Sequence, residues 1–157
     1  MASAVASLPA NDNSLAAFRL RGTVLSHHDW LKANAARARL RRQWRDLFRE
    51  WDVVLCPPMP TPAFLHDHTP HRFPQPDPRQ IDVDGKPFPY LDQLTWPGVA
   101  TLPGVPSTVA PIDRSRSGLP IGVQIVGNYL EDRTTIGFAG LIERAFGGFS
   151  PPQAIAN

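Results

Sequence analysis

The sequence of 157 residues has little cysteine, little lysine and no long apolar run. Cys56 is the only cysteine, so no internal disulfide can form; this fits a reducing compartment, and we expect a cytoplasmic protein. No apolar stretch approaches the length that crosses a bilayer, so we expect no membrane contact. The formal net charge is +2, which is too small to indicate a nucleic-acid partner by itself.

Proline is the residue that the chain has in excess. Most of its 18 prolines fall between Pro57 and Pro120, which predicts loops and extended segments there rather than helices. The segment from Pro57 to Arg79 is rich in proline and histidine and has no periodicity. We interpret it as an ordered surface loop, and a loop of this length usually has a function or docks on another element.

An arginine-rich helix is predicted before that loop. Asp29 is a suitable N-cap for a helix that runs to about Trp51. Its apolar residues follow one helical stripe, which should bury against a sheet: Trp30, Leu40, Trp44, Leu47, Phe48 and Trp51. Its cations occupy the opposite face: Lys32, Arg37, Arg39, Arg41, Arg42, Arg45 and Arg49.

Short strands and turns follow. The apolar run Asp52–Cys56 predicts a strand that is buried on both faces. Asp84-Gly85 is a type I′ turn signal, so 81–90 should form a hairpin. The segment 91–100 is expected to hold a short helical turn that breaks at Pro97-Gly98.

The last third of the chain predicts two strands and a helix. The strands are Ser107–Ala110 and a second one in which Ile121, Val123 and Ile125 alternate with smaller or polar residues. Asp132 can cap a helix that runs through Phe146 and is ended by Gly147-Gly148. Its apolar face is expected to contain Ile136, Ala139, Ile142 and Phe146.

Alternating helices and strands indicate an α/β fold with a partial mixed sheet flanked by helices. We expect a mobile N-terminus over 1–17, one incomplete domain over 18–149, and a loose tail over 150–157. Three core strands and a hairpin would leave a long sheet edge unpaired. The pattern therefore indicates that another element belongs beside this chain.

Three blocks of the sequence resemble the C-terminal part of the amidase-signature family. They are the arginine-rich helix running into Trp51-Asp52-Val53-Val54-Leu55-Cys56-Pro57, the segment Pro103–Pro111, and the segment Gly118-Leu119-Pro120-Ile121-Gly122-Val123-Gln124-Ile125-Val126-Gly127. Their order and spacing agree with the family, and the resemblance covers about Trp30 to Phe146. It implies the C-terminal part of that α/β fold.

The resemblance implies the hydrolysis of linear amides by a nucleophilic serine, a bridging serine and a lysine. Neither Lys32 nor Lys86 precedes a Gly-Gly-Ser-Ser motif, and the sequence contains no such motif. No catalytic residue can therefore be assigned, and no cofactor is implied. The chain alone should be inactive, with an N-terminal catalytic half as its missing partner and a small amide as substrate of the complete enzyme only.

Trp96 is the one substrate-pocket residue that the resemblance suggests, because the family's loops in this region wall the acyl pocket. The alternative is an ordinary half-buried aromatic residue. A different function also remains open, in which the chain is a non-catalytic interaction module. It would keep the amidase scaffold and assemble with itself or a partner through an exposed sheet edge.

Three local signals allow other interpretations. His66, Asp67, His68 and His71 are close in sequence, but their spacing favours a polar loop over a metal site, so a metal hydrolase is the weaker option. Cys56 ends an apolar strand, which favours an inert thiol over a nucleophile. The cationic helix face is more typical of a solvated surface than of a nucleic-acid or lipid site, and pairing of its arginines with carboxylates of the absent half is a further option.

Overall fold

The computed structural model describes residues 2–71 and 77–151. Within them the predicted α/β class is confirmed. The helices are α1 (Ala2–Ala6), α2 (Leu15–Thr23), α3 (His27–Leu47), α4 (Thr95–Thr101), which a 3-10 turn at Tyr90–Leu94 precedes, and α5 (Asp132–Phe146). The strands are β1 (Val54–Cys56), β2 (Gln80–Val83), β3 (Lys86–Pro89), β4 (Ser107–Arg114) and β5 (Pro120–Val126).

The main sheet has three strands in the order β1-β5-β4, and both pairings are antiparallel. Strand β5 lies in the centre, which explains why Ile125 and Val126 are completely buried. Each outer strand pairs on one side only within the part of the chain that the structure describes. The eight-residue β4 also carries an irregularity between Pro111 and Asp113, as a proline on an edge strand allows.

Strand β1 differs from its prediction. Its apolar sequence indicated burial on both faces, but Leu55 is 48% exposed because β1 forms an outer strand. An apolar run does not by itself show whether a strand is buried within this chain or is covered only by another polypeptide element.

Helices cover both faces of this sheet. On one face, α5 packs through Ile142 against Ala110 and Ile125. On the other, Trp44 and Phe48 pack against a small cluster that includes Ala100 and Val126. The core is therefore thin and centred on β5.

Helix α5 ends at Phe146 as predicted, and Gly147 follows it with a φ of 88°. The predicted N-cap is wrong, because Glu131 holds that position and Asp132 is the first helical residue. The predicted apolar face is wrong at two positions, because Ile136 and Phe146 are each 60% exposed. The inward face contains Thr135, Phe138, Ala139 and Ile142. The physical reason is a close approach at Gly127, where a Cβ would lie 2.5 Å from Thr135 Cγ2.

Helix α3 begins one turn earlier and ends earlier than predicted. Its N-cap is Ser26, not Asp29: Ser26 Oγ accepts from the Asp29 N–H at 3.1 Å and donates to Asp29 Oδ2 at 2.7 Å. The first bond is the usual N-cap bond to the backbone N–H of the third helical residue, and the second joins the two side chains. The helix ends at Leu47, before Trp51.

The predicted burial of the α3 stripe is wrong in its outer parts. All residues from 22 to 39 are exposed, and Trp51 is 62% exposed. Trp44 and Phe48 pack on the core, stacked with their ring centroids 5.6 Å apart. The stripe is longer than the small sheet, so the side chains at its two ends remain largely exposed among the described residues.

The hairpin β2–β3 is confirmed, with Asp84 and Gly85 at φ 53° and 78°. Pro97-Gly98 does not break the helical segment but lies inside α4. Pro97 is the third residue of that helix, where a backbone N–H has no helical partner, so a proline is tolerated.

The N-terminal segment forms α1 and α2, and Arg21 ties their connection through its guanidinium to the carbonyls of Pro9 and Asp12 at 2.9 and 2.7 Å. The expected mobility of 1–17 and looseness of 150–157 stay predictions. Residue 1 and residues 152–157 lie outside the described residues.

Candidate functional site

A buried glutamine joins three elements at the centre of the molecule. Gln124 of β5 is only 4% exposed. Its Nε2 donates to the Trp96 carbonyl oxygen and to Cys56 Sγ, each at 3.1 Å. A buried amide needs such partners, so this group fixes the start of α4 and the end of β1 against the central strand.

An open cavity of about 340 Å³ lies beside the end of β1. The proline-rich segment 57–63 forms one wall, and 120–122 of β5 form the other. Thr61 contributes a buried hydroxyl that has no hydrogen-bond partner in the part of the chain that the structure describes. A mostly apolar cleft with a few polar groups is the usual form of a small-molecule site.

Trp96 is half-buried in α4, and it lines neither this cavity nor two others of similar size formed by described residues. Gln124 bonds both the Trp96 carbonyl and Cys56 Sγ, so the Trp96 backbone lies near the end of β1. Its assignment to a substrate pocket stays a prediction.

Cys56 is partly exposed, and the hydrogen bond to its sulfur comes from an amide rather than from a base. An amide cannot remove the thiol proton, so this contact does not activate a nucleophile.

The histidine segment contains one close ring pair, His66 and His68, with centroids 5.8 Å apart. No group of three His, Cys, Asp or Glu side chains suited to a metal occurs among residues 2–71 and 77–151. His71 Nδ1 is buried and unpaired with respect to the described residues.

Asp77 and Arg79 form the most buried ion pair that the structure describes, with Nη2 and Oδ2 2.7 Å apart. The Arg79 hydrogen bond lowers the pKa of Asp77 from 3.8 to about 2. The same guanidinium lies 4.0 Å from the Tyr90 ring centroid, and Tyr90 meets Phe64 edge-on. This cluster attaches the proline-rich loop to the hairpin.

Two arginines of α3 reach the turn that follows α4. Arg37 Nε donates to the Leu102 carbonyl at 2.8 Å, and Arg41 Nε donates to the Pro103 carbonyl at 2.7 Å. These carbonyls follow the C-terminus of α4, where cations are favoured. Arg41 also lies 4.1 Å from the Tyr129 ring centroid.

None of the described helices is both long enough and apolar enough to cross a membrane.

Comparison with known proteins identifies the family. The sequence model of the amidase family matches residues 3–136. The chain belongs to the amidase family. The resemblance inferred from the three sequence blocks is thereby confirmed.

Curated relatives of this amidase-family chain include two glutamyl-tRNA(Gln) amidotransferase subunits A. The one from Exiguobacterium sp. is 33% identical over 122 residues, which are 78% of this chain and 22% of the relative. The one from Prochlorococcus marinus is 34% identical over 115 residues, or 73% and 21% of the two chains. The chain thus spans about a fifth of the length of the curated relatives it matches.

Solved structures agree with the family assignment. A crystal structure of an amidase is 26% identical, with a TM-score of 0.63, and the match covers 82% of this chain and 27% of that one. Another is described as a vestigial protein complex that reveals the origins of an s-triazine catabolic enzyme. It has 25% identity and a TM-score of 0.58, over 94% of this chain and 30% of that one.

Sequence reasoning about this amidase-family chain missed Gln124, Thr61 and the Arg37–Arg41 pair. Gln124 lies in the third of the three sequence blocks, and a polar residue within an apolar strand was the signal. The partners of Arg37 and Arg41 are 65 and 62 positions away, so no local pattern indicated them.

Proposed function

We propose that this chain is the C-terminal part of an amide hydrolase whose Ser-Ser-Lys residues come from polypeptide outside these 157 residues. The chain would build scaffold and pocket wall, and it would not hydrolyse amides alone. The observation that carries this proposal is the family match over 3–136 together with the lack of any Gly-Gly-Ser-Ser motif in the sequence.

The site geometry supports a wall role. The cavity between 57–63 and 120–122 is open on one side, and it holds no nucleophile, base and acid in mutual contact among the described residues that line it. In the proposed enzyme the serine of the N-terminal part would face this cleft. Trp96 does not line this cavity in the lone chain. It is our candidate for a part of the pocket wall that forms only with the N-terminal part, and the Gln124 bond to its carbonyl holds it near the end of β1.

The proposed substrate is a small linear amide, and the proposed reaction is acyl transfer from the amide to water through a serine ester. No cofactor or metal is part of this mechanism. The proposed setting is the cytoplasm, on the strength of the single cysteine, with neither nucleic acid nor membrane as partner.

Complementation tests this proposal. The chain is co-expressed with the N-terminal part of an amidase relative that ends where the match begins, and hydrolysis of a panel of aryl and alkyl amides is followed by ammonia release. We expect activity only in the mixture. A matched mixture with the nucleophilic serine of the N-terminal part changed to alanine is the control. A well-folded complex that hydrolyses none of the amides would contradict the proposal.

A second candidate is the interaction module, because both outer strands of the main sheet are unpaired on one side among the described residues. One of the solved structures that the chain resembles is described as a vestigial protein complex, which is compatible with assembly. Under this proposal the purified chain forms a monodisperse oligomer that melts cooperatively. Aggregation or non-cooperative melting of the lone chain would favour the hydrolase part instead.

A further inference from the structure

Two guanidinium groups converge beside Gly104. A Cβ placed on Gly104 would lie 2.6 Å from Arg37 Nη2 and 2.8 Å from Arg41 Nη2. Both nitrogens therefore lie close to the same point, and the absence of a side chain at Gly104 leaves room for them. The φ of Gly104 is 71°, so the backbone conformation there also favours glycine.

Each of the two guanidiniums makes its hydrogen bonds through one edge only, and Arg41 also lies over the Tyr129 ring. Their Nε atoms donate to the carbonyls of Leu102 and Pro103, which fixes the planes of both groups. No hydrogen bond from their Nη atoms to a described residue occurs. The N–H groups on the Nη atoms of each arginine are thus free to bind a ligand.

No carboxylate among the described residues forms an ion pair with Arg37 or Arg41. The ion pairs among residues 2–71 and 77–151 join Lys32 to Asp29, Arg49 to Asp46, and Arg79 to Asp77, and none includes Arg37 or Arg41. Two cations side by side repel each other, so the arrangement is favourable when an anion lies between them. Fixed, forked donors suit a planar oxyanion better than a single spherical ion.

A carboxylate fits this site better than a phosphate backbone. The net charge of the chain is +2, and Asp29 and Asp46 interrupt the cationic surface of α3 near its two ends. A nucleic acid needs a longer continuous row of cations. Exposed apolar residues on the same helix, Trp30 and Leu31, are typical of a protein contact.

We infer that Arg37 and Arg41 form a carboxylate-binding site, and that an acidic side chain of the complementary amidase part occupies it. The choice of occupant rests on the proposed function, whereas the site itself does not. The site is an anchor for assembly and takes no part in the chemistry of amide cleavage.

The first experiment uses the chain alone. Sodium succinate is titrated against the ¹⁵N-labelled chain, with sodium chloride at equal ionic strength as reference, and the arginine Nε–H signals are followed. We expect saturable shifts of two signals, which Arg37→Gln and Arg41→Gln identify. Shifts that chloride reproduces would overturn the site. Tighter binding of inorganic phosphate than of succinate at these two signals would overturn its assignment to a carboxylate.

The matched controls are Arg39→Gln and Arg42→Gln, which remove the same charge from the same helix. Both residues are exposed, and neither approaches Gly104. These variants should keep the succinate response. Melting temperatures of all four variants show whether each is folded. The Arg37→Lys variant keeps the charge but not the fork, and it should lose most of the response.

The second experiment identifies the source of the carboxylate. Affinity for the N-terminal amidase part is measured for Arg37→Gln/Arg41→Gln and for Arg39→Gln/Arg42→Gln. We expect a loss of about tenfold or more for the first pair and little change for the second. Equal losses would overturn the assignment to a partner side chain. If the unaltered chain fails to bind, the proposed function fails, while the succinate titration still decides the site.

Discussion

Single residues show which backbone and side-chain positions are decisive. Gly104 adopts φ 71° and faces two guanidiniums, whereas Gly98 lies in α4 with open space where a Cβ would be. The same substitution should therefore have opposite effects at these two positions.

We predict that Gly104→Ala lowers the free energy of unfolding by about 1–2 kcal/mol, because an alanine in the left-handed region is strained and displaces both arginines. Gly98→Ala should stabilise by up to about 1 kcal/mol through better helix propensity. Urea denaturation of both variants measures these values. Equal effects at the two sites would show that the conformation of Gly104 is not decisive.

The Asp77 carboxylate gives a prediction for acid pH. Its folded-state pKa is lowered from 3.8 to about 2 by the Arg79 hydrogen bond. A lowered pKa means that the stabilisation is present above about pH 4 and is lost as the pH falls towards 2. Asp77→Asn should therefore flatten the fall in stability between pH 4 and pH 2, as followed by urea denaturation. Asp92→Asn, at an exposed position, is the control and should keep the slope of the unaltered chain.

At the scale of elements, one hydroxyl pair joins α5 to β4. Thr135 is completely buried, and its Oγ1 donates to the Asp132 carbonyl at 2.9 Å and lies 2.8 Å from Thr108 Oγ1. Because the Thr135 proton is already used, Thr108 is the donor in the pair.

This assignment predicts unequal costs for two similar substitutions. Thr135→Val leaves the Thr108 hydroxyl without its acceptor and should cost about 1–2 kcal/mol, while Thr108→Val should cost less. The double variant should be less destabilised than the sum of the single ones, by about 1 kcal/mol. A double-mutant cycle from thermal or urea denaturation measures the coupling. Strict additivity would mean that the two hydroxyls do not interact.

Local signals predicted the elements well where the chain itself decides them. Asp84-Gly85 predicted the hairpin, and Gly147 the end of α5, because turn and cap conformations depend on neighbouring residues. Burial was predicted less well. Trp51 and Leu55 have core-type sequence surroundings, yet they are 62% and 48% exposed.

Contacts between residues far apart in the sequence were not predictable. Gln124 meets a carbonyl 28 positions away and a sulfur 68 positions away, and these distances in sequence exceed the reach of any periodicity. The family resemblance supplied the order of the strands' sequence blocks but not their contacts. For the candidate cavity, the sequence predicted only the ordered proline-rich loop that forms one of its walls.

At the scale of the whole molecule, apolar side chains remain exposed both on the edge of the main sheet and in the proline-rich loop. Leu55 in the outer strand β1 is 48% exposed, and Leu65 in the proline-rich loop is 91% exposed. An uncovered strand edge with an apolar side chain promotes association between chains.

We predict that Leu55→Lys reduces self-association of the lone chain, which light scattering can measure. The same variant should bind the N-terminal amidase part more weakly, because the lysine would occupy the interface. Leu65→Lys adds the same charge at a position away from the sheet and should change neither property. An equal improvement from both variants would show that net charge, rather than the strand edge, governs association.

The strand order β1-β5-β4 also has a consequence for the timing of folding. Strand β5 is the last of the three to be synthesised, although it is the one that both others need. Residues 54–56 therefore leave the ribosome long before their partners at 124–126 and must close a large loop to meet them. Because such non-local pairing is slow, the sheet should form late. Unpaired strand surface is therefore exposed longest before β5 emerges, which is when chaperone binding should matter most.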